Sequence, residues 1–293
     1  MEKSTFFSYN RFLREKFNGP VLKIPLSGGF TCPNIDGRKG TGGCIYCDNR
    51  SFSPVAETKD HIEEQLRAGI ARSPKRFEKY IAYFQPYSNT YGTVEQLRSV
   101  YEPIFNFPEV VGIAIGTRPD CFDEEIYAYM EELHERTYLS VELGLQTVHD
   151  KTLIKINRCQ THQDGENAIL EFSKRGIETV AHIMLGLPGE TKEMMMETAR
   201  VLADLPVEGI KLHQLMIIKH TPMEKMYKNN KVSLLSLEEY ADLVEEFLSL
   251  LRPDQHIHRL MADCTWENGL VAPDWAADKI RSLDYIQKKV KYI

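Results

Sequence analysis

The 293-residue sequence predicts an α/β fold: a partial (β/α)6 barrel with a short N-terminal segment and a C-terminal extension. Six short runs rich in β-branched and aromatic residues alternate with stretches of helical periodicity, the pattern of parallel strands joined by helical crossovers. The runs are near-continuously apolar, so both faces of the sheet are covered. A closed eight-unit barrel needs two more units than the chain supplies, which leaves a partial barrel.

Residues 1–20 contain NRFLREKF, a basic, aromatic stretch ended by the turn signal Asn18-Gly19-Pro20. VLKIPL (21–26) reads as the first strand, and residues 57–72, with Ile62, Leu66 and Ile70 on one face, as its helix. KYIAYFQ (79–85) is followed by helical 93–105, where Thr93 and Gln96 form a capping box. VVGIAIGT (110–117) pairs with helix 123–136, LSVELGLQT (139–147) with 161–176, and TVAHIMLGL (179–187) with 190–205. GIKLHQLMII (209–218) is followed by helix 236–251, with Ser236 and Glu239 as a second capping box. QHIHRL (255–260) is a candidate edge strand. The barrel with its N-terminal segment is expected over 1–252, and an extension packed on it over 253–293.

Composition is that of a globular protein, 42% hydrophobic and 27% charged. No apolar run reaches the roughly 18 residues that a membrane-spanning helix needs, and the first residues lack the apolar core of a signal peptide, so a cytoplasmic location is expected. A net charge of −6 argues against a chain that coats nucleic acid non-specifically, while leaving room for a local basic patch. Six cysteines are too few for a disulfide scaffold in a chain this long. Cys121, Cys159 and Cys264 stand alone and read as small packed residues.

The other three lie in TCPNIDGRKGTGGCIYCDNR (31–50), directly after the first strand. Eleven residues separate Cys32 from Cys44, and two separate Cys44 from Cys47. In such a barrel the C-terminal ends of the strands carry the chemistry. Structural zinc takes four closed ligands, usually in pairs, and only one C-x-x-C pair is present. Three thiolates also suit a [4Fe–4S] cluster with one iron left free. Spacing leaves both open.

Further segments follow in order: TRPD (117–120), ELGLQT (142–147), NR (157–158), GLPGET (186–191), IKLHQLMIIKHTPM (210–223), and HRLMADC and APDW near the end. Together with the cysteine loop and Tyr46 just before its last cysteine, they resemble the radical S-adenosylmethionine (radical SAM) superfamily. Within it the likeness is to the YtqA/YhcC group, which includes MnmL-like proteins and is related to the elongator-catalytic-subunit-like branch. The resemblance covers nearly the whole chain.

It implies that Cys32, Cys44 and Cys47 bind a [4Fe–4S] cluster whose fourth iron is chelated by S-adenosyl-L-methionine (SAM). It further implies SAM cleavage by an electron from a flavodoxin- or ferredoxin-type donor, and abstraction of a substrate hydrogen. Tyr46 is placed against adenine, as is the backbone from Met184 to Gly186. Gln85, with Pro86, stands where the family has a glycine-rich segment for the methionine amino group. Glu142 and Gln146, with Gly144 between them, occupy one side of their strand and suit ribose hydroxyls or the amino group. Arg158 suits the SAM carboxylate. Arg118, His213 and Gln214 are candidate catalytic residues facing substrate, although adjacent strand residues face opposite sides and only one of the last two can point inward. A buried polar pair for Glu142 and Gln146, a surface arginine for Arg158 and a core histidine for His213 are the structural alternatives.

The implied substrate is transfer RNA, with conversion of carboxymethylaminomethyl-uridine to aminomethyl-uridine at the wobble position. Candidate RNA contacts are Arg11 and Arg14, the segment Arg72 to Lys79, and Lys279 to Lys291, with Phe77, Tyr80 and Tyr285 for stacking. Arg38 and Lys39 in the long cysteine gap are candidates for substrate phosphate. A small metabolite or protein as substrate, methylthio transfer, and a non-catalytic metal-containing RNA-binding module remain alternatives.

Overall fold

A computed structural model describes residues 6–290. Its main sheet has seven parallel strands: β1 (Val21–Leu26), β2 (Lys79–Phe84), β3 (Val110–Thr117), β4 (Tyr138–Gln146), β5 (Glu178–Leu185), β6 (Gly209–Gln214) and β8 (His256–Arg259), neighbours in that order. The six expected strands are all present. The seventh is the candidate edge strand, paired in parallel with β6 through Gly209–His256 and Ile210–Ile257. The sheet therefore runs on past residue 252, into the segment expected to be an extension. The expected sixth strand is split, because the chain leaves the sheet after Gln214 and pairs β7 (Ile217–Ile218) antiparallel with β9 (Leu270–Ala272).

Helices α3 (Ile62–Arg72), α4 (Val94–Tyr101), α5 (Glu124–Arg136), α7 (His162–Lys174), α8 (Lys192–Asp204) and α10 (Leu237–Ser249) cover the outer face. Thr93, Asp123, Thr161, Thr191 and Ser236 each accept a hydrogen bond from the third backbone N–H of the helix they start. Leu66, Leu97, Leu133, Ile169, Phe172, Leu202 and Phe247 are fully buried between these helices and the sheet. Each such side chain contributes about 1.5–3 kcal/mol relative to exposure. Met195 and Met196 belong to this core, while Met194 is half-buried outside it. Shorter helices α2 (Asn49–Phe52), α6 (Asp150–Lys155) and α9 (Pro222–Lys228) lie in the connections, and α11 (Lys279–Val290) packs on α10.

The inner face is polar, and Glu142 is on it, as its place on one side of the strand implied. Lys23, Tyr83, Glu142, His182 and Lys211 all project to the inside of the curl and hydrogen-bond to one another. Below them the N-terminal end is filled by α1 (Tyr9–Phe17), within the stretch read only as basic and aromatic. Tyr9 and Leu13 pack with Ile81, Tyr83 and Ala114, and the Tyr9 ring stacks on His258 with centroids 3.7 Å apart. Lys79 Nζ donates to the Phe17 carbonyl at 2.6 Å, and Ser8 bridges to Ile257.

Contact between α3 and β1 is closest at Gly69, where an added Cβ would lie 2.3 Å from Ile24 Cγ2. Gly69→Ala should therefore destabilise the fold by about 1–3 kcal/mol, instead of giving the roughly 1 kcal/mol gain expected at an exposed helical glycine. The readout is a lowered denaturation midpoint at unchanged slope.

Candidate functional site

Cys32, Cys44 and Cys47 line a single cavity of about 560 Å³ at the C-terminal ends of the strands. Their loop is laced in place by backbone. Ile35 N donates to Cys32 O (2.9 Å), Gly43 N to Asn34 O (2.8 Å), Ile45 N to Ile156 O (3.1 Å) and Met223 N to Ile45 O (2.9 Å). Each thiol has a polar neighbour: Ser88 Oγ donates to Cys32 Sγ (3.2 Å), while Asn34 Nδ2 (3.3 Å) and Arg158 Nη1 (3.4 Å) donate to Cys44 Sγ. Asn49 Nδ2 lies 3.9 Å from Cys47 Sγ. Burial pushes all three thiols up. At Cys44 burial is opposed by Arg158, Arg118 and Asn34, which together bring the thiol below its usual value.

Among the described residues, the only trio of metal-ligating atoms lying mutually within 4.8 Å is that of Glu178, His256 and His258. Three thiols on one cavity wall suit a [4Fe–4S] cluster with one iron left open.

Of the other predicted site residues, Tyr46, Gln85, Glu142, Gln146, Arg158, Met184, Arg118, His213 and Gln214 line this same cavity. Gly186 does not. It lies beyond the end of β5 with φ +84°, and a Cβ there would meet Leu235 at 2.9 Å, on the far side of the strand from Met184. Arg158 is buried: Nη2 donates to Gly144 O at 2.6 Å and Nε has no partner. Gly144 is needed there, since a Cβ would stand 2.5 Å from Arg158 Nη2.

Arg118 is also buried, with two donors on Asp120 (2.9 Å each), one on Cys159 O (3.2 Å), and Nη1 unpartnered. The pairing between β4 and β5 slips between Gly144 and Gln146, and Gln146 sits at φ +74° with Oε1 buried and unpartnered. A left-handed glutamine facing a cavity is local strain of the kind that clusters at functional sites. Gln85 Nε2 is taken by Phe52 O at 2.9 Å. Tyr46 and Met184 share an apolar cluster with Leu153, Ile156 and Leu187.

The floor is built on Glu142, which is completely buried. Its carboxylate accepts from Lys23 Nζ (2.5 Å), Lys211 Nζ (2.6 Å), Tyr83 OH (2.9 Å) and His182 Nε2 (2.8 Å), and His258 Nδ1 lies 3.6 Å away. Burial alone would raise the Glu142 carboxyl, but Lys211 and Lys23 hold it well below the usual carboxylate range. Burial, with Lys211 nearby, lowers His182 to about 4, and burial with Arg259 nearby keeps His213 well below the imidazole range. His213 faces inward, in line with Lys211. The Gln214 amide is fully engaged by the Ala262 backbone, donating to O (2.8 Å) and accepting from N (3.1 Å). Gln214 thus fixes the loop after β8, and of that pair His213 is the one left facing the cavity with its ring.

Several surface candidates are occupied. Lys39 Nζ pairs with Asp120 at 2.8 Å, which docks the long cysteine gap onto the TRPD turn, and Arg38 lies over the Tyr91 ring. Tyr80 is buried and donates to Phe77 O, so it is not available for stacking. Arg11 pairs with Glu15, Lys279 with Asp263, Lys288 with Asp284 and Lys289 with Asp242. Lys291 lies outside the described residues. Sequence reasoning missed Lys23, Asn34, Tyr83, Ser88, His182, Lys211 and Arg259 in the cavity and its surroundings. The available signal was a lysine or histidine interrupting each of VLKIPL, TVAHIML and GIKLHQ.

Residues 35–202 match the Radical SAM superfamily, and residues 207–292 the Radical_SAM C-terminal domain. The first match starts three residues beyond Cys32. The chain is 40% identical over 289 residues to the uncharacterized protein YtqA of Bacillus subtilis, covering 98% of this chain and 89% of that one. It is 35% identical over 268 residues to the protein YhcC of Escherichia coli K12, covering 91% and 86%. More distantly it is 26% identical over 176 residues to a tRNA uridine(34) acetyltransferase of Dehalococcoides mccartyi, covering 59% of this chain and 37% of the relative. Its fold is shared with the archaeal Methanocaldococcus infernus Elp3 bearing an N-terminal deletion, at a TM-score of 0.66 and 18% identity, over 92% of this chain and 63% of that one. No helix among the described residues is long and apolar enough to cross a membrane.

Glu142→Gln should cost about 3–5 kcal/mol, because it leaves Lys23 and Lys211 buried without their counter-charge. The folded-state Glu142 carboxyl lies below its unfolded value of about 4.3. The stabilisation is therefore present in full above that pH and is lost as pH falls through the lower folded value. Denaturant titrations of both proteins across pH should give a difference that is flat above the carboxylate range and shrinks below it.

Proposed function

The chain belongs to the radical SAM superfamily, and we propose that this radical SAM enzyme acts on transfer RNA, converting carboxymethylaminomethyl-uridine to aminomethyl-uridine at the wobble position. The observation that carries the reading is the meeting of Cys32, Cys44 and Cys47 with Arg118, Gln146 and Arg158 at the mouth of one polar cavity. The RNA part is supported by the distant similarity to a tRNA uridine(34) acetyltransferase.

In this reading Cys32, Cys44 and Cys47 would hold a [4Fe–4S] cluster, which with SAM and a flavodoxin- or ferredoxin-type donor would supply the hydrogen-abstracting chemistry. The chain's own residues position and shield. Asn34, Ser88 and Arg158 donate to the sulfurs, which both orients them and offsets their charge. The unpartnered Arg118 Nη1 and Arg158 Nε are buried donors awaiting a carboxylate, and Gln146 Oε1 a buried acceptor awaiting an ammonium or hydroxyl. Tyr46 and Met184 form an apolar wall that suits a nucleobase. His213, neutral and inward-facing, offers a hydrogen-bond acceptor to the substrate. On the proposed substrate, the methylene between amine and carboxylate is the position where loss of a hydrogen atom is best stabilised. One-electron oxidation of that radical, with the electron passing to an iron–sulfur or flavin-type acceptor, would give an iminium that water hydrolyses to the aminomethyl group and glyoxylate.

After anaerobic reconstitution with iron and sulfide, the reduced protein should turn SAM into 5′-deoxyadenosine. Cys44→Ala should lose bound iron and fall to background in that assay; a variant as active as the parent would remove the radical reading. For the substrate, nucleoside analysis of transfer RNA from a deletion strain should show carboxymethylaminomethyl-uridine accumulating and aminomethyl-derived uridines depleted. Unaltered wobble uridines would sink the RNA assignment while leaving the radical chemistry in place.

A further inference from the structure

The charges at the floor of the cavity do not balance. Two carboxylates line it, Glu142 and Asp263, and Asp263 is already paired with Lys279 at 2.9 Å. Facing Glu142 are Lys23 and Lys211, with Arg259 beside them on β8, in register with Lys211 across from β6. The Arg259 Nε donates to Leu212 O at 3.3 Å, and no ion pair among the described residues includes its guanidinium. His182, His213 and His258 are held neutral mainly by burial and add no counter-charge. One anion therefore faces three cations. Burial, with Arg259 and Lys23 nearby, lowers Lys211 to about 7 in spite of Glu142 beside it, so an added anion there would favour its charged form.

We propose that this floor is a carboxylate-binding subsite, with Arg259 and Lys211 as the recognising cations, that receives the anionic end of the substrate's side chain. The proposal rests on reading the cavity as the substrate chamber of a radical SAM enzyme. The planar guanidinium matches a carboxylate with two parallel donors, and the neighbouring ammonium adds a point charge. The floor lies at mid-strand, level with Glu142, below the loops that carry the cysteines. A carboxylate on a short side chain reaches that depth; a phosphate on a polymer backbone does not. The groups that would take the methionine carboxylate of SAM, Arg118 and Arg158, lie beside the cysteine loop and not at the floor. Lys211 and Arg259 therefore select substrates by charge, and they are specificity residues apart from the cluster-holding groups.

Propionate and its neutral isostere propionamide isolate the carboxylate. Calorimetric titration of each into the reconstituted holoenzyme should show propionate binding at least about tenfold tighter. Arg259→Gln should abolish the preference and Arg259→Lys should retain most of it, with circular dichroism reporting that each variant is folded. Lys211→Met, the second charge deletion, should reduce the preference as well. Equal binding of acid and amide by the parent, or a preference that survives Arg259→Gln, would overturn the proposal, as would tighter binding of inorganic phosphate with the same Arg259 dependence. The underlying reading fails separately: no 5′-deoxyadenosine from the reduced parent removes the radical chamber whatever propionate does, and lost discrimination with intact SAM cleavage removes only the subsite.

Discussion

The Glu142 carboxylate receives Lys23 from β1, Tyr83 from β2, His182 from β5 and Lys211 from β6, with His258 of β8 close behind. In a flat sheet β1 and β4 are three strand spacings apart, about 14 Å, and β8 is as far on the other side. Side chains from both flanks meet on one carboxylate only because the sheet curls around it. Burying a charge is expensive unless it is paired and hydrogen-bonded. Here a single anion has enough donors to satisfy its lone pairs, and every donor comes from a different strand. The curvature of the half-barrel and the satisfaction of Glu142 are thus one constraint.

Above that floor the site changes character. Strands supply the lower level, where position is fixed by the backbone ladder; loops at the strand ends supply the upper level, where the cysteines sit. Arg158 joins the two, holding Gly144 O on β4 with one nitrogen and Cys44 Sγ with another. The bulge after Gly144 is a local price of that junction, since it turns Gln146 into a left-handed conformation facing the cavity. Asn34 adds a second tie, bonding both Cys44 Sγ and the Asn157 carbonyl.

Local patterns made much of this legible. Strand runs, capping residues and the cysteine spacing are short-range signals, and β1 to β6 and the six covering helices fall where these signals put them. The order of later motifs then placed Arg118, Gln146, Arg158, Met184 and His213 on the cavity wall. What was not legible depends on distant pairings. Lys23 and Lys211 are separated by most of the sheet, and nothing near either in sequence says that they share an anion. Gly186 falls outside the cavity lining because a turn glycine after a strand leaves open which side the chain passes on; here it passes against Leu235. Gln214 is as buried and as polar as a catalytic residue, yet its amide is matched to one backbone unit of Ala262. The nine residues of α1 carry their apolar side chains in a segment so basic that its helical face is masked, and that face is visible only against the barrel it fills.

With Tyr9, Leu13 and their neighbours packed into the N-terminal end of the curl, the chamber is a blind well and not a channel. The helix that fills the bottom of the fold thereby leaves the strand ends, where the cysteine loop sits, as the open side of the cavity.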